Sequence, residues 1–515
     1  MSEERAAVVQ LTRRLTDATP KGQGQQRGPS AAELLVELGI RRYRYVNTPA
    51  GVFGVPNDGP PVALPLRGTG PATGGSIRQA LARALYTEHG KVASQSALAD
   101  AVATLEAQAL NEPVMPVWVR VAPDPDGNGS WLDLGRQDGQ CVHLVPGDWA
   151  VSVPGFDGPL WRRGRLVGEL PLPERPTWPD GWHDALCELR ALVNVSNRTW
   201  PLMIGWLIAA ILPDLPRPVA YLTGEQGTGK TTAGRMLVRL IDDGPSPLRT
   251  EPETPRDLAV TTAAGWVLAL DNVSGIPRWL SDALCRIVTG DAYTARELYS
   301  DDSVTVLQYQ RPVLLTSIDA GALRGDIAER MLPLELEPIP DRQRRTEREL
   351  WAAYHAARPR ILGGLLDLTA HVLAELPAAR AALPARPRMA DFAELLAAVD
   401  RVTGWDALPA YIAGLDGLAQ DVIDGSPLAT AITTMLDRVG TWQGEPADLL
   451  QMLNKIAGVE REHNWPRTAA VLSGQLRRVA PALRARGYRV DGLEGKRKIN
   501  GRSRRWFVLA APGAD

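Results

Sequence analysis

The chain has 515 residues, 44% of them apolar and 23% charged, with a net charge of −2. That length accommodates roughly three or four domains, and the composition is that of ordinary globular protein. The charge balance excludes a chain that is polycationic throughout, so any nucleic-acid contact needs a local basic patch. Three widely spaced cysteines, Cys141, Cys187 and Cys285, exclude a disulfide framework and fit a reducing, cytoplasmic setting.

Residues 1–30 are polar and carry no apolar core, so they read as a disordered leader and not as a signal peptide. Residues 31–175 read as a small α+β accessory domain. A helical piece is expected over roughly Ile77 to Leu110, followed by alternating runs such as Val117–Val121 and Cys141–Val145. Asp124-Pro125-Asp126-Gly127-Asn128-Gly129 imitates the opening of a calcium loop. The twelfth position is Gly135, where a bidentate Glu is required, so a turn between strands is the better reading. The Pro-rich stretch Leu170–Pro179 closes this domain. His183 and Cys187 share a helical spacing, yet no second ligand pair accompanies them, and core packing is expected instead of a metal. The most apolar run, Trp200–Pro213, is too short to span a bilayer and reads as a buried helix; no membrane association is expected.

The chemistry begins in residues 176–340. Pro218–Thr223 reads as a buried strand, Thr232–Ile241 as an apolar-periodic helix, and between them runs Gly224-Glu225-Gln226-Gly227-Thr228-Gly229-Lys230-Thr231. Strand, glycine loop and helix are the context in which this spacing cradles phosphates with backbone N–H groups. By chance the pattern is expected about 0.005 times in a chain of this composition. Gly224 to Thr232 are therefore the candidate ATP-binding residues. Lys230 supplies a point charge to the terminal phosphates, and the Thr231 hydroxyl is a ligand for Mg²⁺. A second carboxylate must hold the magnesium water shell. Trp266–Leu270, an apolar strand ending in Asp271-Asn272, supplies it. Asn272 stands where many such ATPases carry a catalytic Glu; an amide orients a water but does not deprotonate it.

A third strand, Pro312–Ser317, brings Thr316 and Ser317 as candidates for sensing phosphate, if it neighbours the first strand. Arg324 and Arg330 follow, and Arg330, with Arg324 second, is the candidate finger offered to the γ-phosphate of an adjacent subunit. Residues 341–425 are Ala/Leu-rich and read as a helical lid. In residues 426–515, helices are followed by two strand-like pieces around a basic tip, the order of a winged helix. From Arg477 to Arg505 there are eleven basic residues and two acidic ones. Arg477, Arg478, Lys496, Arg497, Lys498, Arg502, Arg504 and Arg505 are the candidate DNA contacts there, directed at phosphates and so without sequence preference.

With these strands in order, residues from about 190 to 340 resemble the superfamily 3 helicases of the AAA+ class. The closest likeness is to the primase-associated helicases of phages, poxviruses and integrated mobile elements. It rests on Gly224–Thr232, Asp271-Asn272, Thr289–Arg296, Arg311–Ser317 and Asp326–Arg330. Most of residues 70–515 also look like actinobacterial mobile-element ATP-binding proteins. The resemblance implies an AAA+-like α/β P-loop NTPase core and makes Arg296, where the chain leads into a hairpin that meets DNA in a ring channel, a candidate DNA-channel or structural residue. The expectation is an oligomeric, preferably hexameric, ATP-driven DNA motor acting on single- or double-stranded DNA in replication or maintenance of a phage, plasmid or integrated element. Priming would come from a separate primase, since residues 31–175 show no carboxylate pair with a histidine. The rival expectation is an ATP-binding switch that assembles on DNA or protein without translocating, in a regulatory or phage-defence complex.

Overall fold

A computed structural model of the protein describes residues 29–67, 76–155, 157–177, 181–273, 275–290, 292–296, 304–308, 310–316, 325–383, 387–456, 465–493, 495, 497–499 and 502–514. The expected leader, apart from residues 29 and 30, lies outside them, as do Ser317, Arg324 and Lys496.

The chain forms two compact units. In the first, α1 (Ala31–Arg42), the antiparallel pair β1 (Tyr43–Thr48) and β2 (Gly51–Pro56), α2 (Ile77–His89) and α3 (Gln95–Ala109) enclose a small core. Ser30 starts α1 with a reciprocal cap: its hydroxyl accepts the Glu33 N–H while the Glu33 carboxylate accepts the Ser30 N–H. The helix expected over Ile77–Leu110 is two helices. Gly90 closes α2 in the left-handed region (φ 63°), and the Ser94 hydroxyl, accepting the Ala97 N–H, opens α3.

The second unit takes in residues 58–64 and 115–515, so the expected domain of residues 31–175 is divided near residue 114. Its first layer is an antiparallel meander of β3 (Val121–Pro123), β4 (Ser130–Asp133), β5 (Cys141–Val145) and β6 (Asp148–Ser152). The Asp124–Gly129 segment is the turn between β3 and β4, closed by the Asp124 N–H on the Gly129 carbonyl at 3.1 Å. Next come α4 (Gly181–Arg190) and α5 (Thr199–Ala210), whose twelve residues are all buried.

A four-stranded parallel sheet then assembles from β7 (Val219–Thr223), β8 (Leu268–Leu270), β11 (Val313–Thr316) and β12 (Met331–Glu335), in the order β12-β7-β11-β8. The third strand therefore neighbours the first, with Leu315 opposite Tyr221. Between β7 and β8 lie α6 (Lys230–Ile241) and α7 (Pro255–Ala264); α8 (Arg278–Thr289) and the hairpin β9 (Ala292–Arg296)–β10 (Val304–Gln308) separate β8 from β11. The strands are buried on both faces, as crossover-connected parallel strands must be. Ala220, Leu222, Ala269 and Leu314 join the core beneath α5 and α6, while Val219, Tyr221, Leu268, Leu270, Val313 and Leu315 pack with α8.

After the short α9 (Gly325–Ala328) and β12, the chain forms α10 (Glu347–Ala382), α11 (Ala390–Thr403) and α12 (Ala407–Asp424). By length and composition α10 is apolar enough to cross a membrane, but more than half of its most apolar window is buried in the same core as α5. Gly363 shows how close this packing is: a Cβ there would stand 1.7 Å from the Glu174 carbonyl oxygen. The C-terminal module has its own core. Its order is α13 (Pro427–Val439), β13 (Thr441–Gly444), α14 (Pro446–Ile456), α15 (Ala469–Ala485), β14 (Arg489–Asp491), the hairpin β15 (Arg497–Ile499)–β16 (Arg502–Arg504) and β17 (Phe507–Ala510), with β13, β17 and β14 forming one antiparallel sheet.

The meander is tied to the parallel sheet by Arg120, whose side chain has no solvent exposure. Its Nε donates to Asp242 Oδ1 at 3.0 Å, and its other nitrogens reach the carbonyls of Asp133, Gly168 and Asp243. Asp242 Oδ2 in turn accepts the N–H groups of Trp266 and Val267 at 2.8 and 2.9 Å. Arg120→Met leaves that carboxylate buried without its cation. A loss of about 3–5 kcal/mol in unfolding free energy is expected, read from denaturant midpoints.

Candidate nucleotide site

The loop after β7 is shaped by glycine. Gly224, Gly227 and Gly229 have φ of 139°, 85° and 81°, values side chains resist. A Cβ on Gly224 would stand 2.7 Å from the Leu336 carbonyl oxygen, so the loop lies against the chain leaving β12. The Thr228 hydroxyl, buried, donates to the Glu225 carbonyl at 3.0 Å and closes the turn. Lys230 opens α6 and folds its ammonium back onto the carbonyls of Gly224 and Glu225, at 2.8 and 2.7 Å. Those two contacts are the ones a phosphate would compete with.

A cavity of about 280 Å³ opens over this loop, lined by Gln226, Gly227, Gly229, Lys230, Thr231, Thr232, Asp271, Asn272 and Thr316. Six of these come from two strand ends and one helix start that meet only because β7, β11 and β8 are neighbours. The Thr231 hydroxyl donates to Asp271 Oδ1 at 3.0 Å across 40 residues of sequence. The Thr316 hydroxyl donates to the same oxygen at 2.5 Å and accepts the Asn272 N–H at 2.9 Å. Asn272 itself is left-handed, with φ 55°, a conformation Asn tolerates better than most residues.

A magnesium ion bound with nucleotide keeps several waters and takes one or two protein oxygens beside phosphate. One hydroxyl and one carboxylate at 3.0 Å fit that demand. Among the described residues no group of three or more His, Cys, Asp or Glu side chains forms an all-protein metal site.

Sequence reading overlooked one element that borders this site. Residue Arg249 bridges β8 as a single parallel partner: its N–H donates to the Ala269 carbonyl at 3.0 Å and its carbonyl accepts the Asp271 N–H at 2.8 Å. Pro245-Ser246-Pro247 just before it gives only loop signals. Burial pulls the Arg249 guanidinium below its usual pKa, and the Asp242 carboxylate partly restores it. Arg120 and Asp242 were equally invisible as a pair, being 122 residues apart.

Arg330 is not in this cavity. It stands at the amino end of β12, where its carbonyl accepts the Val219 N–H at 2.7 Å. The glycine loop begins beyond Thr223, about 13 Å further along the strands. One Arg330 guanidinium nitrogen lies 3.6 Å from Cys285 Sγ on α8.

The candidate DNA contacts divide. Arg296 ends β9, in register with Val304 across the hairpin. In the C-terminal module Arg477 and Arg478 are exposed on α15, donating to the carbonyls of Leu493 and Gly474. The hairpin sets Arg497 opposite Arg504, Lys498 opposite Ser503 and Ile499 opposite Arg502. Arg504 pairs with Glu445, and Arg505 is exposed.

Gly224→Ala forces the loop away from Leu336 at an unfavourable φ. Strain of this kind costs about 1–3 kcal/mol, so nucleotide affinity, measured by titration of a fluorescent ATP analogue, should fall about fivefold to a hundredfold.

Among solved structures, the C-terminal region of NrS-1 is 13% identical to this chain, covering 94% of it and 100% of its own length at a TM-score of 0.37. SCCmec type IV Cch, described as an active helicase, is 13% identical, covering 90% of this chain and 97% of its own at a TM-score of 0.40. No curated protein matches the chain significantly. Residues 184–421 match the family model of the actinomycete integrative conjugative element replication protein, and residues 428–512 match that of the RepA C-terminal domain of the same elements. These two segments, which hold the parallel sheet, its cavity and the basic C-terminal module, are thus similar to the replication protein RepA of actinomycete integrative conjugative elements.

Proposed function

We propose that this chain is an ATP-hydrolysing DNA motor of helicase type that serves replication of an integrative conjugative element. The observation that carries the ATPase part is the meeting of Thr231 and Asp271 at 3.0 Å beside the Lys230 loop. Phosphates of ATP would seat on the N–H groups of Gly227–Thr231 at the positive end of α6, and Lys230 would turn from its loop carbonyls to them. Mg²⁺ supplies charge neutralisation at the terminal phosphates. Thr231 would be its direct ligand, and Asp271 would hold its waters. Asn272 orients the attacking water, and proton transfer goes to solvent or phosphate, since an amide takes none.

The replication role rests on the family that residues 184–421 match. DNA contact is supported by the C-terminal module. Its order of helix, strand, two helices and four further strands, the middle two a hairpin, fits a winged helix, and that hairpin gathers Arg497, Lys498, Arg502 and Arg504, a local surplus of positive charge suited to phosphates. Arg477, Arg478 and Arg505 would extend that surface, and Arg296 would meet DNA from the β9–β10 hairpin. Helices α10–α12 would act as the lid. In a homo-oligomer, with a hexamer favoured, Arg330 or Arg324 would serve the neighbouring subunit, which accords with Arg330 standing far from the cavity of its own chain. A primase would be a separate cytoplasmic partner.

One observation favours a second reading, a nucleotide-gated switch without translocation: the residue after Asp271 is an amide. Steady-state ATP hydrolysis by the purified protein, with and without single-stranded DNA, separates the two. A motor should show DNA-stimulated turnover. Lys230→Ala and Arg330→Ala should each lose it by about 10³-fold or more, with Arg330→Ala still binding ATP. Tight ATP binding with negligible turnover in every condition would leave the switch.

A further inference from the structure

We propose that Thr316 is a positioning residue for the metal, and not the contact to the terminal phosphate that its place at the end of β11 suggests. The inference rests on the nucleotide-site reading above and concerns which atoms of that site are already committed. A hydroxyl has one proton to donate and two lone pairs. An ionised carboxylate only accepts, so the 2.5 Å contact to Asp271 Oδ1 consumes the Thr316 proton. One lone pair of Thr316 Oγ1 takes the Asn272 N–H at 2.9 Å, and the Thr316 carbonyl takes the Val273 N–H, also at 2.9 Å. Thr316 therefore clamps the whole turn Asp271-Asn272-Val273 with three hydrogen bonds, and to reach a phosphate it would have to release Asp271.

The clamp is held from behind. Thr316 is 2% exposed, and a Cβ on Gly234 of α6 would lie 3.4 Å from its Cγ2 methyl, so helix and strand touch at this point. Thr231 and Thr316 both donate to Oδ1. Asp271 Oδ2 makes no hydrogen bond among the described residues, and Asp271 lines the cavity. Thr316 thus selects which carboxylate oxygen stays available for the water shell of Mg²⁺. Partners that orient a metal-holding group in this way typically change metal affinity by about 10–100-fold when removed.

The test is binding of a fluorescent ATP analogue to the full chain, first in EDTA and then across a magnesium titration. Thr316→Val, close in shape but without the hydroxyl, should keep its metal-free affinity within about twofold while needing about 10–100-fold more Mg²⁺ for half-effect. Thr316→Ser should restore the magnesium requirement of the original protein. Thr316→Ala, with no added methyl to place, should repeat the Val result if the hydroxyl is what matters. An unchanged magnesium requirement in the Val and Ala variants would overturn the proposal. So would an equal loss of affinity with and without metal, which marks a phosphate contact or general damage. If the unaltered protein binds no nucleotide in either condition, the nucleotide reading falls first, and this inference with it.

Discussion

Asp242 is the point on which the large unit turns. It ends α6, the helix that starts at the phosphate loop, and its carboxylate accepts the N–H groups of Trp266 and Val267 at the start of the chain leading into β8. Buried, it needs a cation, and Arg120 from the head of the meander supplies one at 3.0 Å. The next residue repeats the arrangement in more open surroundings: Asp243 pairs with Arg239 of α6 and with Arg358 of α10, both at 2.7 Å. Two adjacent carboxylates thus join the meander, α6, the strand that leads to Asp271, and the long helix α10. This is why residues from 115 onward cluster with the parallel sheet, although their sequence pattern resembles that of a separate small domain.

At the other end of α6 the same logic is applied to the cavity over the glycine loop. Glycines let the loop after β7 take left-handed turns and lie against Leu336, so its N–H groups can face inward. Asp271 arrives on the strand two places away and is met by hydroxyls from α6 and from β11. The carboxylate is fixed before any ligand enters, which lowers the reorganisation that binding must drive. Lys230 is the exception: its ammonium rests on loop carbonyls and has to turn.

The C-terminal module is organised differently. Its own core holds three helices and a three-stranded sheet, and the basic hairpin projects between β14 and β17 without adding to that sheet. Arg484 and Arg477, both exposed, brace this scaffold by donating to the Val490 and Leu493 carbonyls. Arg478 and Arg505 are exposed as well, so the surplus of arginine in this segment both braces the module and leaves an outward positive surface.

What the sequence determined by itself is whatever depends on neighbours in the chain. Strand, glycine loop and helix around Gly224–Thr231 were legible because each has a local period or a local φ requirement. So was the buried helix in Trp200–Pro213, because unbroken apolarity over one element implies burial on all sides. The break at Gly90 was legible in principle and missed because apolar periodicity runs on through both helices. Tertiary structure decided what depends on partners far apart in the chain. Strand order put Thr316 beside Asp271 and left Arg330 at the far end of β12. Buried Arg120 found Asp242 across 122 residues. The single-residue bridge at Arg249 follows from the edge of β8 needing a partner for its N–H and carbonyl groups. A lone arginine or threonine carries no period, so its partner is set only when the sheet closes and burial makes an unpaired polar group costly.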